Sequence, residues 1–432
     1  MRTIFSVIIA ALTVFCSASI AAEARKYDTN DLLTLGDYLE YTLSHNAGLK
    51  ASFERAAAAS EAIIQAKTLD DPLLMYGYAT EDTPQRSEFE VMQMFPWFGV
   101  IKDRTDVATA MAKLEGRQYE TKKLEVLFEV KQAFYEYSFL AKSIEITTEN
   151  VQLIKHFEEV ARTKYVVSEA SQPDVIRAQV EVVTMENDLI TWEKSRPAIT
   201  AKLNSLMNRP AESKLPWPQV NPYRQIKIDF AQVNELIMQN NPELQGAAYE
   251  IEAAYSKEKL AKKEFYPQFG IGVAVDAGMG EDMHSRTMPK IQLTLPIWRN
   301  KYKAAERQAK AQVQQVKQQK VEIGNILSAR AQQVLFELES SDRKIRLYRD
   351  TIIPKVKEMV GVSESAYKAG TQDFLNLIDS QRTLIRYQLE YERVIADNGQ
   401  KLAELEMLTG TDLLPKESRT TAERLNEKRK QE

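Results

Sequence analysis

Between residues 268 and 276 the chain alternates with a period of two. Phe269, Ile271, Val273 and Val275 share one face, and Gly270, Gly272, Ala274 and Asp276 the other. Ile291, Leu293 and Leu295 repeat the pattern against Gln292 and Thr294, which predicts strands over 268–276 and 289–295. A looser alternation of Leu74, Tyr76 and Tyr78, then of Phe89 and Val91 among Glu88 and Glu90, predicts strands over 73–81 and 88–95. One apolar and one polar face suits a barrel with a wet lumen; it also suits an amphipathic hairpin on a soluble domain. Elsewhere the period is helical. Lys102 to Lys164 contains no proline, and Asn300 to Ile353 runs unbroken until Pro354. At ~1.5 Å per residue these rods are on the order of 80 to 95 Å long. Ala309, Val313, Val316, Ile323, Leu327 and Val334 keep a three-four spacing, and Leu124, Leu127, Phe128, Phe134, Tyr135 and Phe139 make a broader stripe. Such a seam requires a helical partner, because long lone helices are unstable in water. Further helices are predicted from Leu35 to about Leu69 and from Phe230 to about Phe265.

The elements occur twice in the same order. Asn46-Ala47-Gly48-Leu49 and Asp71-Pro72 return as Asn241-Pro242-Glu243-Leu244 and Tyr266-Pro267. Phe95-Pro96-Trp97 answers to Leu295-Pro296-Ile297-Trp298, Tyr165 and Gln179 to Tyr367 and Gln381, and Leu206-Met207-Asn208 to Leu408-Thr409-Gly410. The offset drifts only from 195 (46 to 241) to 202 (208 to 410), so each half reads as one copy of a fold unit. The copies are bounded as 25–208 and 229–414, joined by a proline-rich linker over 209–228. Residues 415–432 are charged and nearly free of apolar side chains, a composition expected to be disordered.

Met1-Arg2 followed by the apolar run Ile4–Phe15 and small residues at Ser19 to Ala24 predicts a secretory signal peptide over 1–21, with cleavage after Ala21, Ala22 or Ala24. The run is shorter than the ~18 to 20 residues of a membrane anchor. Cys16 is the single cysteine, so the cleaved chain has none, which excludes disulfides and thiol chemistry. No later run could span a membrane as a helix, and any crossing must therefore be made by strands.

Fifteen Gly among 432 residues favours helices, and a net charge of −4 offers no basic surplus for nucleic acid. His45, His156 and His284 stand far apart, without metal-ligand spacing, a phosphate loop or a serine elbow. No catalytic residue, cofactor or metal site is assigned, and the chain is not expected to be an enzyme. Met279, Met283, His284 and Met288 gather near a predicted outer loop, and thioethers suit Cu(I) or Ag(I).

Two regions carry candidate function. Pro96 and Pro296 end strands, so Trp97, Phe98 and Trp298 fall at the level of a membrane-interface aromatic belt, or else pack at a strand-helix joint. At the far end, Gly370 suits a left-handed helix cap, and Thr371 or Asp373 can start the next helix. The first copy has Ser168 and then a capping box at Ser171-Gln172-Pro173-Asp174. Asp379 lies two turns into its helix, too far for capping. Pro354, Gly370 and Asp379 stand opposite Gln152, Ser168 and Arg177, which points to the second hairpin as the moving one.

The duplicated layout, Phe95-Pro96-Trp97-Phe98-Gly99, and Tyr367-x-x-Gly370-Thr371-x-x-x-x-Asn376-x-x-Asp379 followed by Gln381 resemble the TolC family of outer-membrane efflux channels, in its CzcC/CusC-like branch. The resemblance covers about residues 35 to 414. It implies a mainly α fold with a β-barrel membrane part: duplicated helical hairpins forming a tunnel, and four strands per chain in a trimeric, twelve-stranded barrel. It also implies a homotrimer that contacts outer-membrane lipid, a periplasmic membrane-fusion adaptor and an inner-membrane pump of the RND type. The hairpin turns at Ser168, Ser171, Asp174, Gly370, Thr371 and Asp373 would then meet the adaptor. In this family the closed tip carries two acidic positions one turn apart, with a tyrosine and a basic residue. Asp379 matches the second acidic position and Tyr367 the tyrosine, whereas Asn376 stands at the first and Gln372 at the basic one.

Barrel geometry agrees independently: four strands cannot close, about eight is the smallest number that works, and three chains give twelve. In a trimer Asp379 becomes a ring of three carboxylates that attracts cations; as a single side chain it is a solvated helix-face aspartate. The expected function is a passive outer-membrane conduit of a tripartite efflux system, gated at the hairpin tips and exporting small solutes, heavy-metal cations among them. A drug-efflux or type I secretion duct shares the architecture. A periplasmic coiled-coil adaptor predicts one hairpin and no lipid-facing strands.

Overall fold

The computed structural model describes residues 32–79, 86–219, 222–278 and 286–413. The expected signal peptide, the charged tail, and Met279, Met283 and His284 lie outside the described residues. Helices α1 (Leu35–His45) and α2 (Ala47–Lys67) lead to strands β1 (Leu73–Ala79) and β2 (Arg86–Phe95), then to helices α3 (Val100–Val166) and α4 (Gln172–Leu206). The second half repeats the order with α5 (Phe230–Asn240), α6 (Pro242–Lys263), β3 (Phe269–Gly278), β4 (Arg286–Leu293), α7 (Arg299–Leu347), α8 (Ile353–Lys368) and α9 (Phe374–Thr409). The first rod, α3, has 67 residues and is therefore about 100 Å long.

Each expected opening helix is two helices, and the reason is one asparagine. The Asn46 Oδ1 accepts from the Leu49 N–H at 2.8 Å, while its Nδ2 donates to the Leu206 carbonyl at 2.7 Å. Asn241 does the same in the second copy, accepting from Leu244 at 3.1 Å and donating to Leu408 at 3.0 Å. Two sets of repeated landmarks thus meet in space, since each asparagine starts one helix and satisfies the last-turn carbonyl of another. Leu206 and Leu408 precede Asn208 and Gly410, which both adopt left-handed backbone at φ 55° and 69°.

The four strands form one antiparallel sheet in the order β1-β2-β3-β4. Tyr76 pairs with Phe89, Phe89 with Val275, Val91 with Val273, and Ile271 with Ile291, so these side chains share a face. That face is exposed, Ile291 by 85 %. The opposite face carries Glu88, Glu90, Asp276, Lys290 and Gln292, with the Lys290 ammonium 2.6 Å from Glu88 and also paired to Glu90. Pro289 sits in β4, an edge strand, where its missing N–H breaks no ladder bond. No helix among the described residues is long and apolar enough to cross a membrane.

Two buried clusters fill the middle of the molecule, one per copy. Tyr38, Val130, Phe134, Tyr137, Leu203 and Met207 pack α1, α3 and α4 together, and Val233, Ile237, Leu327, Val334, Leu405 and Leu408 pack α5, α7 and α9. On α7 the expected seam is largely the buried one: Ala309, Val313, Leu327 and Val334 are buried, with Val316 and Ile323 half-buried. On α3 it is shifted. Of the expected stripe only Phe134 is buried; Val126, Val130, Ala133, Tyr137 and Leu140 take the other places. This helix is flanked on several sides, so no single stripe defines its inside, and Leu124, Leu127 and Phe128 line an open cavity of about 180 Å³ beside Lys131 and Glu406. The proline-rich segment after α4 is pinned rather than loose. Trp217 stacks on Tyr137 at 5.1 Å with the Arg196 guanidinium 3.8 Å over the Trp217 ring, and Tyr137 and Arg196 both donate to the Leu215 carbonyl.

The second rod does not run through to the tip. Residues Tyr348–Ile352 form a π-helical turn, in which the Ile353 N–H reaches back five residues to the Tyr348 carbonyl. Pro354 follows in the first turn of α8. It has no N–H to give residue 350 and its ring would crowd that carbonyl, so the wider turn sits directly before it.

Candidate functional site

At the base of the sheet the chain passes from strand to rod through an aromatic collar. Trp97 stacks on Tyr266 at 5.0 Å, Phe95 on Phe269 at 5.5 Å, and Phe98 lies 6.3 Å from Phe269. Phe98 and Trp298 are 75 % and 73 % exposed, which a core joint would not leave open. Pro96 directly follows β2, and Pro296 lies beyond β4 in a turn where Ile297 N–H donates to the Leu295 carbonyl. Gly99, at φ 78°, starts α3, and its carbonyl accepts from the Lys263 ammonium, which also pairs with the buried Asp103 at 2.6 Å.

At the opposite end the two hairpin turns have one geometry. The N–H of Glu169 donates to Lys164 at 2.8 Å and that of Ser168 to Tyr165 at 3.0 Å; the N–H of Thr371 donates to Ala366 at 3.0 Å and that of Gly370 to Tyr367 at 3.1 Å. Both are Schellman closures, with a left-handed residue at φ 63° for Ser168 and 73° for Gly370. The next helices start on Ser171, whose N–H and hydroxyl donate to Asp174 at 3.2 and 2.6 Å, and on Asp373, which accepts from the Asn376 N–H at 3.1 Å. Thr371 donates to the Ala366 carbonyl and takes no part in starting α9.

The two turns are held side by side by residues the sequence reading did not single out. The Lys164 ammonium donates to the carbonyls of Tyr367 and Lys368 at 2.8 and 3.1 Å and lies 5.1 Å over the Tyr367 ring. A cation from the first hairpin therefore satisfies the last carbonyls of α8, where the helix dipole is negative. Two turns further in, Arg382 grips Glu181 with both arms of its guanidinium, Nε at 2.9 Å from Oε1 and Nη2 on Oε2. The Glu181 side chain is 4 % exposed and that of Arg382 53 %. This hydrogen-bonded carboxylate raises the Arg382 pKa further above its ordinary value. Gln381 donates to Asn150, and the hydroxyls of Ser363 and Ser380 meet at 2.9 Å. A signal for Glu181 was present: it stands three residues after Ala178 and four before Met185 on an otherwise apolar, buried stripe.

The expected gate residues divide. Asn376 and Asp379 share an exposed face of α9 one turn apart, with the Asp379 carboxylate 3.8 Å from Arg382. Tyr367 is turned away from them into a cluster with Phe374, Leu377 and Ile378, with Phe374 5.3 Å away edge-on. Burial, and then the Asp174 charge, raise its hydroxyl pKa. Gln372 is half-buried in the turn. Arg177, opposite Asp379, is 3.8 Å from Asp174 on its own helix. Among the described residues no group of three or more His, Cys, Asp or Glu is arranged to hold a metal.

The model of the family described as Outer membrane efflux protein matches residues 233–411. The cobalt-zinc-cadmium resistance protein CzcC of Cupriavidus metallidurans is 20% identical over 392 residues, 88% of this chain and 90% of that one. Toxin and drug export protein A of Aggregatibacter actinomycetemcomitans is 24% identical over 193 residues, 44% of this chain, so the match spans only 42% of that relative's length. The solved structure of CusC superposes with a TM-score of 0.78 at 13% identity, covering 91% of this chain and 96% of that one. The chain thus has the TolC-like channel fold, and its residues 233–411 match the outer membrane efflux protein family.

Proposed function

We propose that this protein is the outer-membrane conduit of a tripartite efflux assembly, formed by three copies that each give four strands to one barrel and two hairpins to a periplasmic tunnel. One observation carries the reading: a four-stranded sheet with two free edges, an exposed apolar face and a polar reverse stands at one end of a helix about 100 Å long. An open sheet of this kind buries its apolar face in lipid and closes its edges on further copies. Exposed apolar side chains down α4, at Ile176, Val180, Val183 and Ile190, supply a second seam for a neighbouring copy. The aromatic collar marks the membrane boundary. Export through the signal peptide, passive transport without catalysis, and docking to an adaptor and an inner-membrane pump complete the proposal.

Heavy-metal cations are the favoured cargo, because a relative that spans most of the chain is a cobalt-zinc-cadmium resistance protein. A toxin or drug duct is the second reading, favoured by the name of another relative. The tips form the gate: Lys164 and the Glu181–Arg382 pair latch one hairpin to the other, and the π turn before Pro354 lets the second hairpin move. The test is reconstitution in a planar bilayer with native mass spectrometry of the same sample. Trimers with stepwise conductance are expected; a periplasm-soluble monomer that passes no current would sink the proposal.

A further inference from the structure

The polar face of the sheet also carries large apolar side chains, Leu73 and four methionines. Met92 pairs with Gly272 and Met94 with Gly270 across β2 and β3, on the face that holds Glu88 and Glu90. The two glycines leave a shallow floor, and the thioethers occupy it. A Cβ on Gly270 would lie 2.6 Å from Met94 Sδ and 2.9 Å from Met92 Sδ, and one on Gly272 would lie 3.0 Å from Met92 Sδ. Both sulfurs therefore lie against Gly270, no more than 5.5 Å from each other. Met92 is only 3 % exposed there. Met75 and Met288 stand one row away, flanking Glu90 and Ala274 in register. Lys290, opposite Gly272 in register, has its ammonium already neutralised by Glu88 and Glu90, so it does not repel a positive ligand.

We infer that Met92 and Met94 form a two-sulfur transit site for a soft monovalent d¹⁰ cation of the Cu(I) or Ag(I) class. Thioethers are soft, neutral donors that suit such ions and bind hydrated Zn(II) or Co(II) poorly, and two neighbouring sulfurs satisfy the low coordination number these ions accept. Leucine would cover the glycines equally well as an apolar filler, so the sulfur is the informative atom. The inference rests on the channel reading, which makes this face the lumen, and it narrows the cargo from heavy metals to soft ones. A conducting site holds its ion weakly enough to release it, so the expected affinity is modest.

The experiment uses the full-length protein in detergent with Ag(I), which is redox-inert, as probe. Equilibrium dialysis and silver-edge X-ray absorption are compared for the natural protein, M92L/M94L and the control M75L/M288L, with Zn(II) as the harder ion and bilayer conductance recorded on each sample. The expected result is sulfur coordination of Ag(I), at least a tenfold loss of affinity in M92L/M94L, little loss in M75L/M288L with unchanged conductance, and no comparable Zn(II) binding. Equal Ag(I) binding by M92L/M94L, or none by the natural protein, overturns the site. Binding through the pair without any conductance keeps the site and removes the duct, so the two failures are distinguishable.

Discussion

The tip of the first repeat hangs from one unbroken helix of 67 residues, whereas that of the second hangs from a helix of 16 residues below a π turn. The turns themselves do not differ: both close through the same pair of backbone hydrogen bonds, although one has Ser168 and the other Gly370 in the left-handed position. What differs is the shaft and the direction of support. The first hairpin lends Lys164 to the open carbonyls of the second, and the second lends Arg382 to the buried Glu181 of the first. The first tip also exposes Val166 and Val167, while Tyr367 in the second is buried. Duplication has thus kept the turn, which backbone geometry dictates, and let the parts that decide rigidity diverge.

Removing the clasp should have the largest effect. Arg382→Ala leaves the Glu181 carboxylate buried without its partner, a change that costs about 3 to 5 kcal/mol in a fully buried pair. Because Arg382 is half exposed, water relieves part of this, and about 2 kcal/mol is the expected loss. Hydrogen exchange along α4 and α9 should rise and the reconstituted channel should open more often. Unchanged exchange and gating would show that the clasp holds nothing.

Exchanging the turn residues sharpens the comparison from both sides. Ser168→Gly relieves a left-handed backbone and should raise the tip's local stability by up to about 1 kcal/mol, while Gly370→Ala should lower it by about the same amount. No heavy atom lies within 4 Å of a Cβ at Gly370, so the loss would be backbone strain alone. Thermal melts and exchange at the two turns should move in opposite directions; a shift of the same sign in both would break the claim that the turns are equivalent.

The sequence displayed the repeat, the strand faces and the turns because each rests on local spacing or on a residue with one backbone role. Asn46 and Asn241 were visible as landmarks, yet their work is to join helices across 160 and 167 residues of chain, which no local pattern reveals. The break before Pro354 was legible from proline chemistry, but the π turn that absorbs it was not. Tyr367, aligned by motif with the gate, faces a core set by α3, α4 and α9 together. Lys164 and Arg382 carry ordinary surface residue types, and their shortest contacts come from the neighbouring hairpin.

Pro354→Ala tests the shaft. With the N–H restored, the π turn at Tyr348–Ile352 loses its cause, and the second rod should approach the continuity of the first. The effect on stability should be under about 1 kcal/mol, since proline in the first turn of a helix is tolerated. Slower exchange at 348–352 and rarer opening are the expected signs, and opening at the natural rate would place the hinge elsewhere.

Asp379→Ala should change stability least and selectivity most. Its side chain is 67% exposed, and its contact with Arg382 at 3.8 Å is a surface pair of little energy. If three copies bring their second hairpins together, however, three carboxylates meet in one constriction, and a multivalent cation added from the periplasmic side should block the current. Asn376, one turn away on the same exposed face, contributes no charge, so the single ring must carry the whole effect. Arg177, at the corresponding place of the first hairpin, is paired with Asp174, and Arg177→Ala should leave the block intact. Block abolished by Asp379→Ala and preserved by Arg177→Ala would assign the constriction to the second hairpin. Block that survives Asp379→Ala unchanged would remove the ring and leave the two hairpins alike in their charge, unlike only in their shafts.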